Sequence, residues 1–140
     1  MGYDGGITEE RHVCTGPGFA EAEINPYRIL QFGTGANAVI QATSGTQYPY
    51  GISGNGSENG KAIYAADDAV AVKIYGVAYL KMSGTGSKGN RIMATTGGKG
   101  LKHSNTDGVY IIGNATCDWT DGQIIPIIID RYFIGDWTLS

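Results

Sequence analysis

The chain has 140 residues, of which 41% are hydrophobic and 16% charged, with a formal net charge of −3. That length and apolar fraction suit one domain around one core. The ten Lys and Arg are scattered, whereas phosphate contacts need clustered positive charge, so the composition argues against direct nucleic-acid binding. No apolar run reaches the ~18 residues of a membrane-spanning helix.

Met1 to Gly6 lack the basic start and apolar centre of a secretory signal, which fits a protein folded in the cytoplasm. Residues 1–24 are polar and glycine-rich, and no periodicity persists there. Ile7, Val13 and Phe19 are isolated apolar points. This stretch reads as an extended N-terminal arm preceding a single β domain over residues 25–140.

Residues 27–32 and 37–41 flank Gly33-Thr34-Gly35-Ala36, which is a hairpin signal. Residues 48–53 form a short strand, followed by a loop over 54–60. Residues 68–82 alternate, with Val70, Val72 and Ile74 on one side. At Gly76 the apolar phase moves to Val77 and Tyr79, then to Leu80 and Met82, which predicts a β-bulge. Residues 83–87 turn the chain, 91–95 return it, and a long loop covers 97–107. Residues 109–112 and 123–133 are the last strands. Pro126 lies inside the second of them and predicts an edge or a bulge, and an edge there permits a trimer.

No segment carries a helix of three turns. About eight short strands joined by glycine turns predict an all-β fold, a small β-barrel or β-sandwich. Its expected core is Ile29, Leu30, Val39, Ile52, Val70, Val72, Ile74, Val77, Leu80, Ile92, Ile111, Ile125, Ile127 and Ile129.

Catalytic and metal chemistry finds little footing. Gly84-Thr85-Gly86-Ser87-Lys88-Gly89 matches a dinucleotide fingerprint, but the residues after it cannot hold the helix whose N-terminus would meet a pyrophosphate. It reads as a turn. His12 and His103 have no Cys or carboxylate at ligand spacing, so no metal, cofactor or catalytic residue is assigned. Asp67-Asp68 and Asp118/Asp121 sit at strand ends, where Asp ordinarily makes turns. Residues 127–136 resemble the uracil-contacting hairpin of trimeric dUTPases, without the other motifs of that family. Cys14 and Cys117 read as reduced thiols, with a bridge between them as the alternative.

Nine tyrosines are present, Tyr48 and Tyr50 around Pro49, with Tyr132, Phe133 and Trp137 near the end. They read either as strand packing or as anchors of an interface. Tyr3, Ile7, Val13, Phe19, Tyr132, Phe133 and Trp137 are the candidate partner-binding residues.

Six phrases stand in order along the chain: residues 26–31 with Gly33, Tyr50-Gly51-Ile52-Ser53, residues 69–80, Lys88-Gly89-Asn90-Arg91-Ile92, Ile111-Ile112-Gly113-Asn114-Ala115 and residues 121–127. Together they resemble the capsid cement, or head decoration, proteins of tailed bacteriophages. Asn90 replaces the usual acid of its phrase. The resemblance implies a non-enzymatic virion protein on the outer capsid surface, bound to the major capsid protein and to copies of itself as a homotrimer. A carbohydrate-binding or adhesion module of a phage tail or cell surface is the alternative.

Overall fold

The computed structural model describes residues 14–16, 18–55 and 63–135. Among them lie ten strands: β1 (Cys14–Gly16), β2 (Phe19–Ala20), β3 (Ile29–Phe32), β4 (Ala38–Gln41), β5 (Gly51–Ser53), β6 (Val72–Lys81), β7 (Arg91–Ala94), β8 (Gly100–Lys102), β9 (Val109–Ala115) and β10 (Ile124–Ile134). A 3-10 turn at Thr96–Gly98 is the remaining regular element there. The all-β expectation holds. β1 and β2, within the segment read as an arm, are paired into the sheet.

The strands form one mixed sheet in the order β2-β4-β3-β5-β6-β10-β9-β7-β8, with β1 also on β6. β6 belongs to both halves. Its first residues pair with β1 and β5, and from Gly76 onward it pairs with β10. The outer strand of each half curls back toward the flanks of β6 through one isolated bridge, Phe19 to Ala69 and Met82 to Gly100. Single bridges are not a ladder, so the sheet is not closed into the expected barrel.

Two apolar clusters fill the halves. Ala20, Ile24, Leu30, Val39, Tyr64, Val70 and Val72 form one. The larger one holds Ala78, Leu80, Met82, Ile92, Ile112, Trp119, Ile125, Ile127 and Ile129, and it reaches Ile29 and Ile52. Ile29 and Leu30 are consecutive, both fully buried, and belong to different clusters. Successive strand residues point to opposite faces, so β3 is covered on both sides.

Ile74 of the expected core is half-buried, and Val77 is 48% exposed. The phase of β6 runs unbroken through Gly76: Val72, Ala78, Leu80 and Met82 point inward, while Tyr75, Val77 and Tyr79 point outward. The predicted bulge therefore does not lie there; Gly76, at φ 92°, marks a change of partners. A register shift falls instead in β10, between Ile129 (opposite Gly113) and Tyr132 (opposite Ile111).

Pro126 is not at an edge, because β10 runs between β6 and β9. Its carbonyl accepts from the Thr116 N–H and hydroxyl, one residue beyond the end of β9. In an antiparallel strand the N and O of a residue point the same way. The proline nitrogen therefore faces the side where the β9 ladder has already ended, and no donor is missed. The edge-strand argument for a trimer falls with this.

Candidate functional site

The loops that looked chemical are structural. Asp121 accepts the N–H of Gly84 at 2.8 Å, and Asp118 accepts that of Lys88 at 2.8 Å. Asn90 closes the same turn by accepting from Ser87 at 2.8 Å. Strand β7 follows this glycine segment, so the helix that a pyrophosphate site needs is not formed. Asp68 accepts the N–H of Ala65 in its own turn. Cys117 is a free, half-buried thiol, so the Cys14–Cys117 bridge is not made.

The distinctive surface is a row of five rings drawn from four segments. Phe32 ends β3, Tyr48 and Tyr50 precede β5, Tyr110 lies in β9, and Phe133 in β10. Phe32 and Tyr48 are parallel within 8°, with centroids 6.0 Å apart. Tyr50 tilts against Phe32 at 4.7 Å. Tyr110 meets Tyr48 edge-on at 5.6 Å and Phe133 at 4.9 Å. Phe32, Tyr48 and Phe133 remain 55%, 43% and 53% exposed, unusual for apolar rings packed on one another.

Arg131 adds the cation. Its guanidinium carbon lies 5.7 Å from the Tyr48 ring centroid, and Nη1 donates to the Tyr50 carbonyl at 2.7 Å. This couples β10 to the segment before β5 and holds the guanidinium at the ring face. The β10 irregularity at Asp130 and Arg131 makes the arrangement possible. Before it the odd residues Ile125, Ile127 and Ile129 are buried; after it Phe133 is exposed, opposite Tyr110. One extra residue has re-aimed the end of the strand.

Of the residues singled out from sequence, Phe133 lies in this row. Tyr132 is half-buried, opposite Ile111 in β9. Phe19 is 50% exposed on β2, the strand beyond β4, which itself pairs with the β3 strand of Phe32. Tyr3, Ile7, Val13 and Trp137 lie outside the described residues. Phe32, Tyr110 and Arg131 were missed, because nothing in their sequence neighbourhoods connects them. The Tyr-Pro-Tyr phrase at 48–50 was the one visible signal.

A second exposed apolar region covers the outer side of β6 and β10, where Tyr75, Val77 and Tyr79 stand beside Ile124 and Ile128.

What these features define is an open, doubly curled all-β sheet with an exposed aromatic–arginine cluster. No family model matches the chain, and no curated protein matches it. Among solved structures, the chain is similar to the N base of head fiber gp8.5 of bacteriophage phi29. The TM-score is 0.64 at 15% sequence identity, and the match covers 89% of this chain and 99% of that one. The two share a fold.

Proposed function

We propose that this chain is a structural virion protein of a bacteriophage. In this reading it binds the outer surface of the capsid as a cement or decoration protein, docks on the major capsid protein, self-associates as a homotrimer and performs no catalysis. The observation that carries the reading is the likeness to a phage head fiber base over nearly the whole of both chains. The aromatic row supports it, since Tyr and Arg in a partly preformed cluster are the residues that dominate protein contacts. Many copies on one shell would add modest individual affinities into firm attachment.

The test is addition of purified protein to expanded phage heads that lack it, followed by co-sedimentation and electron cryomicroscopy. Density on the outer shell, with the row of Phe32, Tyr48 and Phe133 at the contact, is expected. Saturating protein that leaves heads bare refutes the proposal. A companion deletion tests the arm, and it ends at Val13, because β1 and β2 are sheet strands. It should lose attachment and keep the fold.

The parallel Phe32 and Tyr48 rings also favour a second reading, a sugar-binding surface on which a pyranose stacks while Arg131 and the tyrosine hydroxyls supply hydrogen bonds. Strong hits on a glycan array, together with absence from purified heads, would select it.

A further inference from the structure

We infer that the outer face of β6 and β10 is the surface through which copies of this chain pack on one another. This deepens the self-association part of the proposed function by naming its contact surface.

An antiparallel pair with one solvated face alternates apolar and polar residues. Here the outward positions are apolar as well. Tyr79 stands opposite Pro126 and Val77 opposite Ile128. Tyr75, Val77, Tyr79, Ile124 and Ile128 are 60%, 48%, 55%, 44% and 51% exposed. Tyr27 extends the face by meeting Tyr79 edge-on at 6.4 Å. At about half exposure each, the five side chains present on the order of 400–500 Å² of continuous surface, near the top of the range for the largest patch on a monomer. That is more than half of the ~800 Å² that each partner gives to a stable interface.

Two features point to a second copy as the occupant. First, the face is aliphatic at its centre, with Val77 and Ile128 side by side, and contacts between identical chains are more apolar than transient ones. Second, its charges lie at the margin and are of both signs. Lys73 and Lys81 stand at the two ends of the β6 row, and Asp130 follows the β10 row, so one surface carries both halves of an ion pair. Where β6 and β10 part, beyond the Gly76–Ile129 pair, a groove of about 500 Å³ lies between Tyr75, Val77, Ile128 and Asp130. It accepts a protruding side chain from the neighbouring copy.

Sedimentation velocity of the full chain across the micromolar range tests this. The natural chain should sediment as an oligomer. Val77→Lys and Ile128→Lys should each weaken association at least tenfold while circular dichroism shows an unchanged fold. Should either lysine variant fail to fold, hydroxyl-radical footprinting of the natural chain gives an independent readout: Tyr75 and Tyr79 should be protected when associated and labelled on dilution. A natural chain that is monomeric throughout, folded lysine variants that stay associated, or tyrosine labelling that ignores concentration would each overturn the inference. The head-binding assay reads the capsid proposal separately. Monomeric variants that still decorate heads leave that proposal standing, and associated protein that never binds heads defeats it alone.

Discussion

Replacing Tyr48 by Ala removes the ring at the middle of the aromatic row. In the free protein it loses the parallel contact with Phe32 at 6.0 Å, the edge contact with Tyr110 at 5.6 Å and the Arg131 cation at 5.7 Å. Ring pairs are worth ~0.5–1.5 kcal/mol each and an exposed cation–π contact ~0.5–1 kcal/mol. Tyr48 is 43% exposed, so the lower ends apply. The sum is about 1.5–2.5 kcal/mol, equivalent to a fall in Tm of roughly 5–10 °C for a domain of this size. The effect on head binding should be of similar size if the ring anchors the proposed docking surface. Loss of ~2 kcal/mol of contact corresponds to a Kd about 30-fold weaker. Tyr48→Phe keeps every ring contact and should stay close to the natural chain in both measurements. Lys88→Ala is the control: Lys88 is exposed in the turn beside Ala115, at the opposite end of β9 from Tyr110, and its loss should leave the Kd nearly unchanged. The assays are thermal melting by circular dichroism and titration of heads with labelled protein at a temperature where every variant is folded. Equal binding by Tyr48→Ala and the natural chain, or a greater loss from Lys88→Ala, refutes the assignment of the aromatic row.

Two further outcomes follow from the fold. Gly113→Ala should cost more than ~3 kcal/mol in denaturant unfolding, since the new Cβ would lie 2.0 Å from the Ile128 carbonyl oxygen, which is backbone in the central β9–β10 ladder and cannot step aside. Gly122→Ala meets no atom within 4 Å and carries only the penalty of φ 86°, about 1–2 kcal/mol, so the order of the two costs checks the packing at Gly113. Glu21 Oε1 accepts from the Thr34 N–H at 2.7 Å, the Thr34 hydroxyl at 2.9 Å and the Gly35 N–H at 3.2 Å. These bonds, led by the Thr34 hydroxyl, hold the carboxyl pKa below its ordinary 4.5, against a small opposing effect of desolvation. A lowered folded pKa contributes stability that is present above the unfolded value and lost as pH falls through the folded one. The Tm advantage of the natural chain over Glu21→Gln should therefore shrink as pH is lowered from 6 through the acid range. An advantage that grows on acidification contradicts this.

Local pattern determined much of this molecule. The alternation of Val70 and Val72, the isoleucines at 125, 127 and 129, and the glycine turn of the β3–β4 hairpin are all set by neighbours within a few residues. Chain entropy and burial act on them wherever the strands end up. The phase of β6 shows the limit of such reading. Val77 is apolar, so it read as core, but strand geometry keeps odd positions outward through Gly76 and leaves it on the surface. Pro126 likewise read as an edge marker. Only the length of β9, which stops one residue short of it, makes an interior position harmless. The aromatic row was hidden for the same reason. Phe32, Tyr48, Tyr110 and Arg131 are far apart in the chain and meet only because the two halves of the sheet curl around β6 and one extra residue in β10 turns Phe133 outward. Sequence specifies which side chains want burial; strand order and register, which are fixed by contacts between distant segments, decide which ones obtain it and which are left exposed.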